Sequence, residues 1–508
     1  MGGASSGVPA EPAAVEIEMP RAKSDDSPPH GQLSNQPSAF MHEESVQDFS
    51  SMRSVDDEMD QSGRFSRVST ANLPSLEEIQ LEADAANQAD AQAGLKRPKG
   101  YIKLGSKVPF RVPRKPEDLS PSWMTAALRF KGMLSADVGV TAVQCKPIGE
   151  GGGVMGVIAL VTISYDGETS APERLVAKFS PQGKAPLPKL VVKAIFMAEA
   201  HYYNDFSVGD GGMPRAECYL ALWDRRRSKP TFCMLIENMM PAVCFTRVSA
   251  CDDVEKLMAA VSGMARLHAR WWQAPKAPPL EWCLHPVTDF GGLVLNGFVR
   301  TTKLGLAALG KVYGDTYKPI LDWIPQIHHR HKFILEELFK PPLTLTHGDA
   351  HIENIFFDSR FSGGASFIDF GNMMFSQGMY DIAFFTVNSL EPEVRRRVEK
   401  DLVEHYHACL VANGVTNYSA ERAWSDYVLN LWRPLISVCA IAPSIEVAHR
   451  HGTGLFAEKP TEGDAQMRLM YEKLNERIVA ALTDHHWLDR ILQGSQSCGL
   501  CSCISFCY

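Results

Sequence analysis

The sequence predicts an α+β protein with two lobes, a small N-terminal lobe built on antiparallel strands and a larger lobe that is mostly helical. The chain has 508 residues, too many for one ordinary core of about one to two hundred residues. Short β-branched runs bounded by turns cluster between residues 157 and 237. Amphipathic stretches at helical spacing dominate after residue 250.

The small lobe is predicted from alternating strand-like and helix-like runs. Tyr165-Asp166-Gly167 is a turn signal between two apolar runs, so these runs should pair as antiparallel strands. The predicted elements are a helix at Ser122–Phe130, strands at Val157–Ser164 and Arg174–Phe179, a helix at Leu190–Phe206, and strands at Glu217–Trp223 and Thr231–Glu237.

The second lobe is predicted from longer amphipathic patterns interrupted by compact apolar segments. The helical patterns cover Val254–Trp272, Leu304–Leu309 and Pro319–Phe339, and the strand-like segments are Leu343–Thr346 and Ala365–Ile368. The expected domain limits are a disordered tail at residues 1–95, the small lobe at 100–240, the helical lobe at 241–490 and a Cys-rich tail at 491–508.

Composition and charge exclude some classes of protein. Apolar residues make up 45% of the chain and charged residues 22%, as in globular proteins. Residues 1–100 carry 17 acidic and 8 basic side chains, a balance of −9, and the remainder carries 42 acidic and 43 basic, a balance of +1. Because phosphate neutralisation needs a clustered basic excess, the sequence argues against a nucleic-acid-binding surface.

The apolar runs and the cysteines favour a reducing, cytoplasmic setting. The longest strongly apolar stretch, Val154–Ile163, is about half the length of a membrane-spanning helix and contains Gly156, so no transmembrane segment is expected. No secretory signal pattern opens the chain. Eight of the twelve cysteines lie singly between Cys145 and Cys439, which favours free thiols over a disulfide framework.

Both ends of the chain contain patterns that allow lipid attachment. Met1–Ser6 fits the myristoylation pattern with Gly2 as acceptor. A cluster of four cysteines at the other end allows palmitoylation, and the two signals together would give peripheral membrane association. Ordinary disordered ends, or zinc binding by the cluster, are the alternatives. The four are Cys498, Cys501, Cys503 and Cys507.

Three polar residues carry the predicted chemistry. Asp349 and Asn354 lie five positions apart, and Asp369 follows Asp349 by twenty residues at the end of an apolar run. Phosphoryl transfer needs one carboxylate to orient the attacking hydroxyl and take its proton, and further oxygen ligands to hold Mg²⁺ against a triphosphate. One loop and one strand end can supply both.

With His347-Gly348-Asp349, Asn354 and the Phe-Ile-Asp run ending at Asp369, the sequence resembles the phosphotransferase branch of the protein-kinase-like fold. This branch comprises aminoglycoside phosphotransferases, choline and ethanolamine kinases and the ecdysteroid-kinase-like group, whose catalytic loop reads H-G-D-x-x-x-x-N. The resemblance implies a bilobal kinase-like fold and the cofactors ATP and Mg²⁺. It implies that Asp349 is the catalytic base, and that Asn354 and Asp369 are the metal ligands.

A glycine-rich segment precedes the first strand pair and is a candidate phosphate-binding loop. Its small residues would let backbone N–H groups approach phosphates closely. The glycines fit two registers, Gly149/Gly151 or Gly151/Gly153/Gly156, and a simple Gly-rich hairpin loop is the alternative. Order and spacing relative to the strand and helix that follow favour the phosphate-binding interpretation.

The remaining nucleotide contacts follow from the resemblance. Lys178 on a strand and Glu199 on the next helix match the kinase-like lysine that contacts the α/β-phosphates and the glutamate that orients it. Glu237, Asn238 and Met239 stand where relatives place backbone groups on the adenine edge, although the Glu237 side chain need not touch the nucleotide.

Two further residues match structural positions of the family. Asp381 corresponds to the aspartate that braces the catalytic loop, and His268 is expected to be a packed, hydrogen-bonded residue rather than a catalyst. Ala350 and Glu353 depart from the family pattern, which commonly has a large apolar residue and a small or polar one at these positions. The departures remove no oxygen ligand, but they leave the acceptor undefined.

The function expected from these motifs is ATP-dependent transfer of the γ-phosphate to a hydroxyl, or an amino group, of a small molecule. The acceptor is expected between residues 270 and 340 and after 381, where tryptophans either enclose a ligand or pack in the core. A nucleotide-binding pseudokinase or membrane-tethered scaffold is the alternative, and a protein kinase a lesser one because no A-P-E follows Asp369. The tryptophans are Trp271, Trp272, Trp282 and Trp323.

Overall fold

The structure is a computed structural model, and it describes most of the two expected lobes. The predicted N-terminal tail with Gly2, the glycines Gly149, Gly151 and Gly153, and the Cys-rich end lie outside the described residues. The described residues are 103–104, 106–107, 111–148, 156–181, 189–206, 212–223, 231–289 and 293–491.

The small lobe is a five-stranded antiparallel sheet in the order β3-β4-β5-β7-β6. A separate two-residue hairpin, β1-β2, precedes it. The elements are β1 (Lys103–Leu104), β2 (Ser106–Lys107), α1 (Pro121–Phe130), β3 (Val140–Ile148), β4 (Val157–Tyr165), β5 (Arg174–Phe179), α2 (Lys189–Asp205), β6 (Cys218–Trp223) and β7 (Phe232–Glu237).

The two faces of this sheet are covered by different helices. Because side chains alternate along a strand, Leu175, Ala177 and Phe179 of β5 point to one face, where they pack in the core that contains α1. Lys178 lies between them and points to the other face, toward α2. The period-two pattern of β5 therefore places a charged side chain on the side of the sheet that faces Glu199.

The large lobe is mostly helical, with two small antiparallel sheets, β9-β12 and β8-β10-β11, near its junction with the first lobe. Its strands are β8 (Val243–Cys244), β9 (Thr344–Thr346), β10 (Ile355–Phe357), β11 (Ala365–Phe367) and β12 (Met374–Ser376). Its helices are α3 (Val254–Arg270), α4 (Leu293–Val312), α5 (Gly314–Leu321), α6 (Ile324–Leu338), α7 (Met379–Ser389), α8 (Pro392–Ala412), α9 (Ala420–Asn430), α10 (Arg433–His451) and α11 (Glu462–Asp484).

The predicted α+β fold with two lobes is confirmed, and the strand pair around the turn signal at residues 165–167 is antiparallel. Two boundaries differ. The pattern at 319–339 divides into α5 and α6, and Pro325 occupies one of the first positions of the second helix, where a missing N–H costs nothing. The helix predicted at 304–309 extends over 293–312.

The described residues include eight cysteines and one apolar stretch of membrane-spanning length. All eight described cysteines are free thiols. Within the described part of the chain, one stretch, Ala420–Phe456, is long and apolar enough to cross a membrane by length and composition, and 67% of its most apolar window is buried inside the protein. Burial of this kind is typical of core helices.

Candidate active site

The catalytic loop runs from the end of β9 to the start of β10 and is held from below by Asp381. The Asp381 carboxylate is fully buried and accepts hydrogen bonds from the backbone N–H groups of His347, at 2.7 Å, and Gly348, at 3.0 Å. Burial opposes its ionisation, but the hydrogen bonds and nearby imidazoles outweigh burial and lower the pKa of Asp381. These contacts place Asp381 where the predicted bracing role requires it.

His268 on α3 extends this support. Its Nε2 lies 3.1 Å from Asp381 Oδ2 and its Nδ1 lies 2.8 Å from the Tyr406 hydroxyl. The ring is completely buried, and its backbone carbonyl accepts a 2.7 Å hydrogen bond from the Thr344 hydroxyl in β9. His268 is therefore the packed, hydrogen-bonded residue that the sequence indicated, and it links α3 and α8 to the catalytic loop.

A positive backbone dihedral at Gly348 allows the loop to turn. Gly348 has a φ of 84°, and a Cβ atom there would lie 1.9 Å from the carbonyl oxygen of Asn372. Only glycine combines this conformation with such close backbone contact. The H-G-D sequence therefore brings the catalytic loop directly against the segment that follows Asp369.

Asp349 emerges from this turn with a partly shielded carboxylate. Its side chain is 27% exposed, and Oδ2 accepts a hydrogen bond from Asn372 Nδ2 at 3.2 Å. Burial, followed by the nearby negative charge of Asp369, raises the pKa of Asp349 to about 7. A carboxylate with a pKa near neutrality is suited to accept a proton from an alcohol during reaction.

His347 fixes the geometry between Asp349 and Asp369. Its Nδ1 accepts a hydrogen bond from the Asp349 backbone N–H at 3.2 Å, so its Nε2–H donates to the Ile368 carbonyl at 3.0 Å. Burial lowers the pKa of His347, which favours the neutral ring that this pair of contacts requires. One imidazole thus links the loop that carries Asp349 to the strand end that carries Asp369 through two hydrogen bonds.

Asn354 is oriented by a hydrogen bond to the loop backbone. Its Nδ2 donates to the Asp349 carbonyl at 2.9 Å, so this contact does not use the amide oxygen. The residue is 7% exposed, and its own carbonyl accepts from the Ile368 N–H at 3.0 Å. The side chain therefore has a fixed orientation before any ligand binds.

Asp369 has a left-handed backbone conformation, with φ 67° and ψ 65°. This conformation costs a non-glycine residue about 1–3 kcal/mol and often marks functional positions. The side chain is 40% exposed, and Oδ1 lies 2.8 Å from Lys178 Nζ. Burial would raise the pKa of Asp369, but the Lys178 charge and hydrogen bond outweigh it, so the pKa lies below its usual value.

Lys178 joins the small lobe to Asp369. Its Nζ donates to Glu199 at 2.7 Å and to Asp369 at 2.8 Å. Burial would lower the pKa of Lys178, but the two carboxylates more than compensate and raise it. The buried ammonium is therefore charged, and Glu199, 1% exposed on α2, fixes its direction.

Aromatic packing places α2 against the segment 369–372, which follows β11. Phe370 stacks on Tyr202 with ring centroids 4.2 Å apart, and the His347 ring lies 4.9 Å from Phe370 on the other side. A Cβ atom at Gly371 would lie 2.5 Å from the Ile195 side chain, so glycine permits close approach of α2. These contacts bring Lys178, Glu199 and Asp369 together from three distant parts of the sequence.

The predicted adenine-side residues lie at the end of β7. The Glu237 side chain accepts a 3.0 Å hydrogen bond from the Glu217 backbone N–H, so it is used within the sheet. Asn238 accepts from the Met240 N–H at 3.3 Å, and Met239 is 4% exposed. The side chains of Glu237 and Met239 are thus engaged with the protein.

Asn354 and Asp369 are the candidate residues that would hold a metal together with a nucleotide. Among the described residues, no group of three or more His, Cys, Asp and Glu side chains could hold a metal ion by itself. Asn354 and Asp369 offer one amide and one carboxylate oxygen. Mg²⁺ is typically held by one or two such ligands together with substrate phosphates and water.

Two polar contacts near the loop were not predicted from the sequence. Asn372 bonds the catalytic carboxylate candidate, and Arg247 donates to both oxygens of Glu353, through its backbone N–H at 2.9 Å and Nε at 2.8 Å. The sequence marks Asn372 only as a polar residue three positions after Asp369. Arg247 lies 106 positions from Glu353, and no local pattern indicates that pair.

Comparison with protein families supports the resemblance. The family model described as the ecdysteroid kinase-like family matches residues 313–415, which contain Asp349, Asn354, Asp369 and Asp381. This match confirms the resemblance inferred from the sequence motifs. No curated protein matches the sequence.

Solved structures with a similar arrangement are small-molecule kinases. Amicoumacin kinase in complex with AMP-PNP and Ca²⁺ is 12% identical, with 66% of this chain and 88% of that chain covered and a TM-score of 0.38. Choline kinase from Cryptosporidium parvum Iowa II is 11% identical, with 70% and 91% covered and a TM-score of 0.38. Glucosamine kinase in complex with glucosamine, ADP and inorganic phosphate is 18% identical, with 75% and 89% covered and a TM-score of 0.38.

The chain has a bilobal α+β fold of the kinase-like type, and its residues 313–415 resemble the ecdysteroid kinase-like family. The five-stranded sheet with its buried Lys178–Glu199 pair forms one side of the site, and the loop at 347–354 with Asp369 forms the other. The segment matched by the ecdysteroid kinase-like model is the segment that carries this loop.

Proposed function

We propose that this protein is an ATP-dependent phosphotransferase that moves the γ-phosphate to a hydroxyl, or an amino group, of a small molecule. The observation that carries the proposal is the junction of Lys178 with both Glu199 and Asp369, opposite a loop that presents Asp349 and Asn354. Phosphoryl transfer depends mainly on positioning and charge, and this constellation supplies a cation, a base and two oxygen ligands.

Each residue has a separate task in the proposed reaction. Lys178, held by Glu199, would contact the phosphates of ATP, while Asp369 and the Asn354 amide oxygen would hold Mg²⁺. The metal, when bound with the nucleotide, offsets phosphate charge. Asp349 orients the acceptor hydroxyl and takes its proton, and the Asn372 amide keeps the carboxylate in place.

The direction of proton transfer also follows from the contacts. Asp349 has its backbone fixed by His347 and its loop fixed by Asp381, so its carboxylate keeps one orientation before substrate binds. A carboxylate with a pKa of about 7 is ionised in a large fraction of molecules at neutral pH and can hold the transferred proton. The proton passes from the acceptor oxygen to Asp349 as that oxygen bonds to the γ-phosphorus, while the bond from the γ-phosphorus to the bridging oxygen breaks and ADP leaves.

A nucleotide-binding screen followed by an acceptor screen tests the proposal. MgATP should stabilise the folded protein, by about 2.7 kcal/mol at a hundredfold excess over its Kd. ATP consumption across a panel of amino alcohols, aminosugars and sterols, with mass spectrometry of products, should identify a phosphorylated acceptor. No stabilisation by MgATP would contradict the proposal, and binding without any product would support the pseudokinase alternative.

A further inference from the structure

Helix α2, which carries Glu199, is also held on its outer side by the large lobe. The His201 imidazole stacks on the indole of Trp282, with ring centroids 5.6 Å apart and an angle of 10° between the planes. Residues two positions apart on a helix are rotated by about 200° around its axis, so their side chains point to nearly opposite sides. Glu199 therefore faces Lys178, while His201 faces away from the ion pair and contacts a residue of the other lobe.

Trp282 belongs to a segment that is also hydrogen-bonded to β12, the strand that follows residues 369–372. Two residues later, the Leu284 carbonyl accepts a 2.8 Å hydrogen bond from the Phe375 N–H in β12. The ring of His285 lies 5.8 Å from the Phe375 ring. One short segment thus contacts both the helix that carries Glu199 and the strand that begins five residues after Asp369.

This segment is held in place by burial, hydrogen bonds and an ion pair. Cys283 is fully buried, and its N–H donates to the Leu280 carbonyl at 3.0 Å. Asp289 accepts a 2.9 Å hydrogen bond from the His285 N–H and pairs with Lys276. The segment is therefore fixed on both sides of Trp282.

We propose that Trp282 and His201 are positioning residues for phosphoryl transfer. Their stack holds α2 where Glu199 can orient Lys178 toward the phosphates. Neither residue contacts the reacting atoms in this account, and the proposal rests on the proposed nucleotide-binding function. Its added content is that the large lobe supports the helix of Glu199 from a second direction, through the His201–Trp282 stack as well as the Tyr202–Phe370 stack.

Loss of the stack should weaken the binding of phosphates selectively. An aromatic pair contributes enough to change an equilibrium by about 2- to 12-fold, and apparent affinity is proportional to the fraction of molecules in which α2 is correctly placed. Trp282→Leu should therefore lower MgATP affinity measurably, by up to about 12-fold, in calorimetric titration. The affinity for adenosine should stay unchanged, because adenosine lacks the phosphates that Lys178 contacts.

Conservative and remote variants separate positioning from general destabilisation. Trp282→Phe keeps an aromatic ring and removes a buried indole N–H that has no hydrogen-bond partner in the described structure, so MgATP affinity should stay within about twofold of wild type. Trp424→Leu is the matched control, since Trp424 is also half-buried and stacks on Tyr427 at 5.4 Å within the helical lobe. This control should bind MgATP like wild type.

A double-mutant cycle with Glu199→Gln gives the decisive result. If Trp282 acts through Glu199, Trp282→Leu should cause no further loss of MgATP affinity in the Glu199→Gln background. Should Trp282→Leu not fold, His201→Ala removes the same stack, together with the His201 contacts with Trp223 and Asp205, and should give the same pattern.

Three results would overturn this role: unchanged MgATP affinity, equal loss for MgATP and adenosine, or additive loss with Glu199→Gln. Wild-type protein that does not bind MgATP would instead overturn the proposed function itself, and the positioning role with it. The two failures are therefore distinguishable from the wild-type titration alone.

Discussion

Replacement of Asp381 by asparagine should destabilise the protein strongly, although the residue touches no substrate in this account. Asp381 Oδ2 accepts from the His347 N–H and faces His268 Nε2, and Oδ1 accepts from the Gly348 N–H. Asparagine can keep its single oxygen at the first position, but its NH₂ group then faces the Gly348 N–H. One buried donor loses its partner, and the remaining bonds lose the strengthening effect of the charge.

The magnitude follows from these three contacts. A hydrogen bond to a charged group contributes about 1.5–3 kcal/mol, and a neutral acceptor about half of that. Loss of one such bond and weakening of two others by half gives a decrease of about 3–6 kcal/mol in the free energy of unfolding. This matches the cost of removing one partner from a buried ionic network.

Equilibrium urea unfolding at neutral pH, followed by circular dichroism and tryptophan fluorescence, measures this loss. Glu472→Gln is the control, because Glu472 forms a surface pair with Arg468 whose side chains are 38% and 50% exposed, and its loss should cost at most about 1 kcal/mol. A loss for Asp381→Asn as small as that of the control would refute the bracing role.

The pH dependence of the same variant has a defined sign. The folded-state pKa of Asp381 is lowered, so its contribution is present above the unfolded pKa of about 3.9 and is lost as the pH falls through the folded value. The stability difference between wild type and Asp381→Asn should therefore shrink in the acid range. A difference that grows on acidification would contradict the assigned charge state.

Three further predictions follow from the site and the chain ends. Lys178→Met should lower MgATP affinity at least about tenfold and destabilise the fold, because it leaves the buried Glu199 carboxylate unpaired, and adding Glu199→Leu should restore urea stability but not MgATP binding. A chain that starts near Tyr101 should keep full MgATP affinity in titration, since the first nucleotide motif lies beyond residue 147, and complete loss in a folded protein would contradict this. Metabolic labelling with a myristate analogue should label the wild type but not Gly2→Ala, and an unlabelled wild type would refute N-terminal acylation.

The parts of the structure that the sequence predicted well are those with local signals. Alternation in β4 and β5 and helical periodicity in α2 and α3 are properties of neighbouring residues, and these elements end within one or two residues of their expected limits. The H-G-D-x-x-x-x-N loop likewise places Asp349 and Asn354 near each other through chain geometry alone. β3 was not predicted. It lies at the edge of the sheet and the second half of the strand is largely exposed, so its side chains do not alternate regularly between buried and exposed.

The contacts that the sequence did not predict join distant segments. Arg247 meets Glu353, His201 meets Trp282, and Asn372 bonds Asp349 because the lobes and loops pack against one another. Taken singly, each of these residues is of a type that is common at surface or core positions. Their contacts can be identified only once tertiary packing has determined which faces of the elements lie against each other.

The most direct test of the account compares Asp349→Asn with Asp369→Asn in one pair of measurements, MgATP titration and phosphoryl transfer to an acceptor identified by the panel. General-base assistance contributes about 10²- to 10⁴-fold in rate, so Asp349→Asn should keep MgATP affinity but retain at most about 1% of turnover. Asp369→Asn should lose both affinity and turnover, because it removes a metal ligand beside Lys178, and added magnesium should restore part of the affinity. Near-normal turnover in a folded Asp349→Asn protein would contradict the central assignment.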